Sequence, residues 1–351
     1  MMVLRPVERR DLDQIYSLAG QTKVGLTTLP QDRDYLQERI ETSVRNVAYP
    51  PVKPGGESFM FVLEDSELDR VVGTCAAFTK VGGFEPFWTY AIKSFINASK
   101  ALQVSKEIQY LSLKKIHNGP SEIGTLFLTP EYRRGHNGRA LSLGRFMFMG
   151  MFRRCFEQQV LAELRGYMDK NEKSIFWRSL GKHFFDMPFE QADRMSNKDK
   201  SFIADLMPRH PIYIPLLPPA AQAMIGKVHP DTVPAQKLLV QEGFQFLNEV
   251  DIFEAGPVLG AQLDSIRTIK LKRMLPIGAI GDVVPENADM CLLAVGKEPA
   301  AFRLTVGPVA IGKDSVILGN VLAQALVVQV GDPVHLAPVR AGWKHGDESK
   351  Q

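Results

Sequence analysis

The stretch Leu126-Phe127-Leu128-Thr129-Pro130-Glu131-Tyr132-Arg133-Arg134-Gly135-His136-Asn137-Gly138-Arg139-Ala140-Leu141 decides the reading of this chain. It begins as the end of a strand predicted from Ile123 to Leu128, which Pro130 stops because proline has no N–H to give to a ladder. It ends as the start of a helix predicted over 138–156. In that helix Leu141, Leu143, Phe146, Met147, Met149, Met151 and Phe152 are too many for one narrow stripe, so it should be largely buried. Its methionines and phenylalanines read as core packing rather than an acyl pocket. A helix start presents N–H groups without intrahelical partners and a partial positive charge. Gly135 and Gly138 let backbone approach a ligand, Arg133, Arg134 and Arg139 add counter-charge, and His136 and Asn137 lie in the same turn. A pyrophosphate suits such a turn. The competing reading of the same composition is a solvated basic turn.

Upstream, residues 2–5 read as a strand. A helix follows from Asp11, a candidate N-cap, with Leu12, Ile15, Tyr16 and Ala19 on one face and Gly20 as its stop. A second helix is predicted over 31–44, where Leu36, Ile40 and Val44 recur every fourth residue, after a loop over 25–30. Residues 50–56 are another loop. Phe59 to Leu63 and Val71 to Phe78 are β-rich runs joined by a polar segment, a hairpin at the centre of an antiparallel sheet. The aromatic run with Phe87, Trp88, Tyr90 and Phe95 fits no element cleanly. Downstream, Val160 to Leu164 reads as a strand and Ser174 to Leu180 as a short helix ending at Gly181. Residues 235–244 read as a helix closed by Gly243, followed by a strand over 250–253. That unit echoes 176–184, a hint of a duplicated half-sheet. Beyond Lys272, glycines and prolines punctuate short Val/Leu/Ile runs such as 316–318 and 325–330, the pattern of a small all-β domain.

Composition excludes several classes. The 351 residues are 45% hydrophobic and 23% charged with a net charge of +3, an ordinary globular balance for about two domains. No run approaches the ~20 apolar residues of a membrane span, and the first twelve residues carry charge where a signal peptide is apolar. The chain is therefore expected to be cytoplasmic, with no membrane partner. Cys75, Cys155 and Cys291 are far apart without CxxC spacing, which predicts neither a disulfide framework nor a metal site. The mild basicity lacks the like-charge block of a nucleic-acid tail, and no nucleic-acid partner is expected.

The order of strand, Arg-Arg-Gly-His-Asn-Gly and helix resembles the coenzyme A pyrophosphate loop of the GNAT acyltransferases, whose pattern is Arg/Gln-x-x-Gly-x-Gly/Ala. The opening Leu4-Arg5-Pro6 with Asp11-Leu12, the 61–65 and 71–73 hairpin, and the Phe176-Trp177 to Leu180-Gly181 helix come in the GNAT order. Blocks at 145–149, 174–181, 204–213 and Gly226-Lys227-Val228-His229-Pro230 narrow the match: from residue 1 to about 273 the chain resembles the arginine N-succinyltransferase family. The fourth loop position, glycine in most relatives, is His136 here, and this departure bears on the individual phosphate contacts.

The resemblance implies an α/β (α+β) GNAT-type fold with a mixed, mostly antiparallel sheet. It implies succinyl transfer from succinyl-CoA, a cosubstrate, to the α-amine of L-arginine, with ornithine as a further acceptor. Amine acylation needs a base, an oxyanion donor and an acid for the leaving thiolate. The family's proton donor carries over to His229, whose imidazole suits proton transfer near neutrality. Its acyl-CoA contact carries over to Leu126, whose backbone N–H is the expected oxyanion donor where the strand splays from its neighbour. Glu122 stands where several GNAT enzymes place a general base; a solvated strand-start carboxylate is the other reading. Trp177 stands near the usual tyrosine acid and cannot do that work. Cys155 reads as buried, so direct attack in a ternary complex is preferred. Asp251 and Glu254 lie near His229 among the acids that could meet a guanidinium.

The expected organisation is 1–190, an acyl-CoA-binding half; 191–272, a second half carrying His229; 273–345, the small β domain; and 346–351, a tail. Open β edges in the third unit favour a homo- or hetero-oligomer. Three other functions fit the residues: a regulatory partner subunit of a two-subunit succinyltransferase, an acyl-CoA-binding sensor, and acylation of protein lysines.

Overall fold

The computed structural model describes residues 1–22, 28–196, 201–282, 288–340 and 343. The expected opening strand and hairpin are β1 (Met2–Pro6), β2 (Ser58–Asp65) and β3 (Arg70–Phe78). The unassigned aromatic run is a long hairpin of β4 (Phe87–Ser99) and β5 (Val104–Ile116). Then come β6 (Ser121–Leu128), β7 (Gln159–Glu163), β8 (Ile212–Tyr213), β9 (Gln245–Val250) and β10 (Pro257–Gln262). Their hydrogen-bonded order is β1-β2-β3-β6-β7-β10-β9-β4-β5-β8. Within this run only β6 and β7 are parallel, so the sheet is mixed and mostly antiparallel.

Strand alternation sorts the core into two layers. Met60 and Val62 of β2 pack with Ile15 and Leu18 of α1 (Leu12–Ala19) and Leu36 and Ile40 of α2 (Arg33–Ala48). Phe59, Phe61 and Leu63 face the other way, onto Leu141, Phe146 and Phe148 of α3 (Asn137–Met151). Asp32 caps α2, its carboxylate accepting the Tyr35 N–H at 3.2 Å. Asp11 is instead claimed by Arg5, whose guanidinium bonds both carboxylate oxygens at 2.8 and 2.9 Å, a buried fork rather than a helix cap. A second core lies under β4, β5 and β9, filled by α4 (Ile175–Ser179), α5 (Gly181–Phe185), α6 (Phe189–Ser196), α7 (Ser201–Leu206) and α8 (Pro219–Gln222). Trp177 belongs to that core, its indole N–H donating to the Met187 carbonyl. Two further helices, α9 (Val233–Gln241) and α10 (Arg267–Lys270), flank the last strands of this part.

Past Lys272 the strands β11 (Arg273–Gly281), β12 (Asp289–Val295), β13 (Arg303–Ile311), β14 (Val316–Gly319) and β15 (Pro333–Pro338) run in the order β12-β15-β11-β14-β13. A β12–β13 pairing closes the ring. Closure occupies the β edges expected to favour an oligomer, and β13 also pairs with β1 at Leu304 and Leu4. The unit is not wholly β: α11 (Asn320–Leu326) takes up part of the run read as a strand over 325–330. It ends where Val327 turns left-handed at φ 59°.

Other expectations shift locally. The helix read over 138–156 stops at Met151, because Phe152 leaves helical geometry and Arg153–Cys155 is a separate tight turn. The strand placed at 250–253 lies earlier, as β9. Residues 251–254 are a turn in which Asp251 Oδ1 accepts the N–H groups of Phe253 and Glu254. The echo is one of sequence only, since 176–184 folds as two short helices and 235–244 as one helix leading into a strand. Part of the predicted 25–30 loop and the terminal tail lie outside the described residues. Among the described residues no helix is long and apolar enough to cross a membrane.

Candidate active site

The parallel pair β6–β7 is also where this sheet opens. β6 and β7 pair only at Ser121–Val160 and Glu122–Leu161, and beyond these two rungs they separate. Just past the split, β6 bulges: Gly124 pairs with Ala76 and Phe127 with Thr74, so Thr125 and Leu126 together oppose the single Cys75. Thr125 holds a left-handed φ of 53°, and its carbonyl accepts the hydroxyl of Thr74 at 3.0 Å. The bulge frees backbone from the ladder at the residue expected to meet the thioester. Glu122 stands on the last paired rung, half-buried, at the base of the split.

From Leu128 the chain turns into α3 as expected. Gly135 adopts φ 59°, which glycine takes without strain, and a Cβ on Gly135 or Gly138 would meet nothing within 4 Å. The N–H groups of Gly138 and Arg139 lie in the first turn of α3 and lack intrahelical acceptors. This is a cradle into which a phosphate can press. Asn137 ties the turn together through Nδ2 to the Tyr132 carbonyl at 3.1 Å. Arg133 Nε bonds the Leu128 carbonyl at 3.0 Å, and Arg134 is exposed. Arg139 differs from expectation: its guanidinium is committed to the Val339 carbonyl at 3.2 Å and to Gln241, tying α3 to the C-terminal ring. His136 is the N-cap of α3 with no capping bond. Burial, with Arg340 and Arg139 nearby, lowers its pKa and keeps the imidazole neutral at pH 7.

His229 comes to the other side of the split. Its N–H donates to the Arg165 carbonyl at 2.9 Å, where the chain leaves β7. Two neighbouring bonds lock the same wall: Tyr167 N–H to the Lys227 carbonyl at 3.0 Å and Gly226 N–H to the Ala255 carbonyl at 2.9 Å. The backbones are so close that a Cβ on Gly166 would lie 2.3 Å from the Glu254 carbonyl oxygen, and one on Gly256 only 1.9 Å from that of Leu164. The buried His229 ring accepts the Asp231 N–H at Nδ1, 3.1 Å away. Since that nitrogen is an acceptor, the proton of the neutral imidazole sits on Nε2. The Asp231 carboxylate lies 3.9 Å from Nδ1.

The two acids considered for a guanidinium have different places. Asp251 shapes its turn, while Glu254 is buried with Oε2 lacking a hydrogen-bond partner. Burial first, then Asp251, push its carboxyl well above the usual range. The cysteines are not nucleophiles: all three are buried, and burial pushes the Cys75 and Cys291 thiols up to about 12. Among the described residues no three metal-ligating side chains gather. Sequence reasoning missed Asp231, Arg165 and Arg39, a residue of α2 whose Nη2 lies 3.5 Å from Thr125 Oγ1. His-Pro-Asp at 229–231 is a turn signal that could have pointed to Asp231; Arg39 has no local signal.

A split parallel pair, a bulged strand at its lip, a glycine-arginine turn opening a buried helix and a histidine on the facing wall define an acyl-CoA-dependent N-acyltransferase. The family model of the arginine N-succinyltransferase beta subunit matches residues 2–268, and the chain belongs to that family. It is 41% identical over 347 residues to the arginine N-succinyltransferase of Yersinia pestis (strain Pestoides F), covering 97% of this chain and 99% of that one. With the enzyme of the same name from Enterobacter sp. (strain 638) it shares 45% over 296 residues, 84% of this chain and 85% of the other. A solved structure, the arginine/ornithine succinyltransferase subunit AI of Pseudomonas aeruginosa, superposes with a TM-score of 0.88 at 33% identity, covering 97% of this chain and 99% of that one.

Proposed function

We propose that the chain transfers succinyl from succinyl-CoA to the α-amino group of L-arginine, releasing CoA and N2-succinylarginine. The observation that carries this reading is the two-rung β6–β7 ladder, which opens onto the Thr125–Leu126 bulge on one side and His229 on the other. Family membership supplies the substrates, and the geometry gives each group a task. The pyrophosphate lies on the turn at 133–138, with the first-turn N–H groups of α3 and the Arg133 and Arg134 side chains as counter-charge. Pantetheine runs into the split, and the thioester carbonyl meets backbone N–H at Leu126, which steadies the oxyanion as the amine attacks. Glu122, at the base of the split, takes the proton from the ammonium, directly or through water. His229 acts as the acid in its imidazolium form: with a proton also taken up at Nδ1, it gives its Nε2 proton to the departing thiolate and is left a neutral ring. The Asp231 carboxylate is near enough to Nδ1 to balance charge on the ring. No acyl-cysteine intervenes, which agrees with three buried thiols.

The division into 1–190, 191–272 and 273–345 remains a reading of the sequence: the core under α3 joins Phe59 and Phe148 to Phe244, Leu259 and Leu304, the core under α4–α8 joins Trp177 and Phe185 to Ile214 and Ile252, and only the third lies mainly inside the C-terminal ring. The tail at 346–351 takes no part in it. L-Ornithine is a second acceptor to test, since the solved relative is an arginine/ornithine succinyltransferase subunit. The test is thiol release from succinyl-CoA with L-arginine, L-ornithine, L-lysine, a lysine peptide or no amine, followed by mass analysis of the product. Release that needs arginine and yields the α-N-succinyl product supports the transferase. Binding of succinyl-CoA without release for any amine would replace it with the partner-subunit reading, which the word subunit in the family model's description and in the solved relative's name favours.

A further inference from the structure

Arg39 is a cation on the α2 side of the bulge with no carboxylate in ion-pair reach among the described residues. It is half-buried, its Nη1 donates to the Thr28 carbonyl, and its Nη2 lies 3.5 Å from Thr125 Oγ1. Its guanidinium carbon stands 5.8 Å from the centre of the Tyr35 ring and 5.6 Å from that of Phe78. Phe78 in turn lies against the bulge, with Cε2 3.5 Å from where a Cβ of Gly124 would be. Two aromatic faces and one carbonyl thus hold the guanidinium over Gly124 and Thr125 and use only part of its five N–H donors. The surrounding groove, about 530 Å³, is otherwise acidic, with Asp32, Asp34 and Glu38 in its walls.

The chemistry of the donor gives this cation a partner. Pyrophosphate binds on the α3 side of the sheet, so CoA enters from there and its acyl chain emerges past the bulge toward α2. A succinyl chain ends two methylenes beyond the thioester carbonyl in a carboxylate. An anion placed there beside Asp34 and Glu38 would be repelled unless a cation met it.

We propose that Arg39 is the specificity-determining residue for the acyl group, its guanidinium receiving the terminal carboxylate of a succinyl thioester whose carbonyl lies at the Thr125–Leu126 bulge. This rests on the reading above, in which the split of β6 and β7 holds the thioester. The planar fork of arginine suits a carboxylate, and a lysine in its place would supply charge without the paired donors. Butyryl-CoA, which ends in a methyl group where succinyl ends in a carboxylate, is the control donor.

The experiment is calorimetric binding of succinyl-CoA and butyryl-CoA, without acceptor, to the full-length protein and to Arg39→Gln and Arg39→Lys. Lysine keeps the charge and a long-reaching N–H donor, whereas glutamine, about two bonds shorter than arginine, removes the cation and its fork. Wild type should prefer succinyl-CoA. Arg39→Gln should weaken succinyl-CoA binding by about tenfold to hundredfold while leaving butyryl-CoA within about twofold, and Arg39→Lys should fall between. Equal weakening of both donors, or an unchanged preference in Arg39→Gln, would overturn the proposal. Turnover with L-arginine is read separately. A wild type that shows the Arg39-dependent preference yet transfers nothing would sustain the acyl assignment and refute the transferase, whereas full turnover with an unmoved preference would do the reverse.

Discussion

Gly135 and Gly138, on the side where CoA is expected, face open space, whereas Gly166 and Gly256, behind His229, have carbonyl oxygens at 2.3 and 1.9 Å from where a Cβ would stand. The two sides of the split are built for different work. The turn before α3 holds charge and backbone N–H groups near solvent, so it can settle around a large anionic ligand. The wall from 164 to 168, crossed by 226–229 and 254–257, is backbone pressed on backbone, so the His229 ring and the Glu254 carboxyl keep their places. Binding is assigned to the open side and proton transfer to the closed one, where small displacements cost rate.

The sharpest way to break this contrast is to fill the closed wall. Gly256→Ala drives a methyl group into the Leu164 carbonyl, and denaturant unfolding should show a loss of about 3 kcal/mol together with loss of activity. Next comes Glu122→Gln. If the carboxylate takes the ammonium proton, kcat near neutral pH should fall about a hundredfold and recover at alkaline pH, where more of the amine is already neutral; a pH–rate profile reads this. On the open side Gly135→Ala should be milder. Alanine at φ 59° costs about 1 kcal/mol of stability, with a several-fold rise in KM for succinyl-CoA and little change in kcat.

The smallest expected effect lies in the C-terminal ring and marks it as distinct from both walls. Burial, then Lys272, lower the pKa of His335 on β15 from 6.5 to about 4. The unfolded chain then takes the proton first as pH falls, so this contribution to stability is complete above 6.5 and is lost toward 4. Allowing for the partial exposure of the ring, melting at pH 7 and pH 5 should differ by about 1 kcal/mol more in wild type than in His335→Leu.

Much of the open side was legible in the sequence, because its signals are local. Pro130 ends a strand, Gly135 permits a left-handed turn, and the apolar density after Gly138 marks a buried helix. On the closed side the Val-His-Pro block pointed to His229, and Glu254 was named only as an acid near it. Arg165 meets His229 through pairing between segments more than sixty residues apart, which no periodicity announces. The bulge was equally hidden: threonine is a good strand residue, and Thr125 is turned left-handed only because two residues of β6 must oppose Cys75 of β3. The β4–β5 hairpin escaped because its exposed outer half carries Phe95, Ile96, Leu102 and Val104, which blurs the alternation of inside and outside. Arg139 shows the reverse case, a residue chosen for its neighbourhood in sequence whose guanidinium also bonds 241 and 339.

We propose that His229, held from behind by Arg165 and with the Asp231 carboxylate 3.9 Å from its Nδ1, delivers the proton to the leaving thiolate as an imidazolium. The most direct measurement is the single-turnover rate of CoA thiol release from succinyl-CoA with saturating L-arginine, in wild type and in His229→Gln. The rate should fall about 10²- to 10⁴-fold with succinyl-CoA binding unchanged. A His229→Gln variant that releases thiol at the wild-type rate would contradict it.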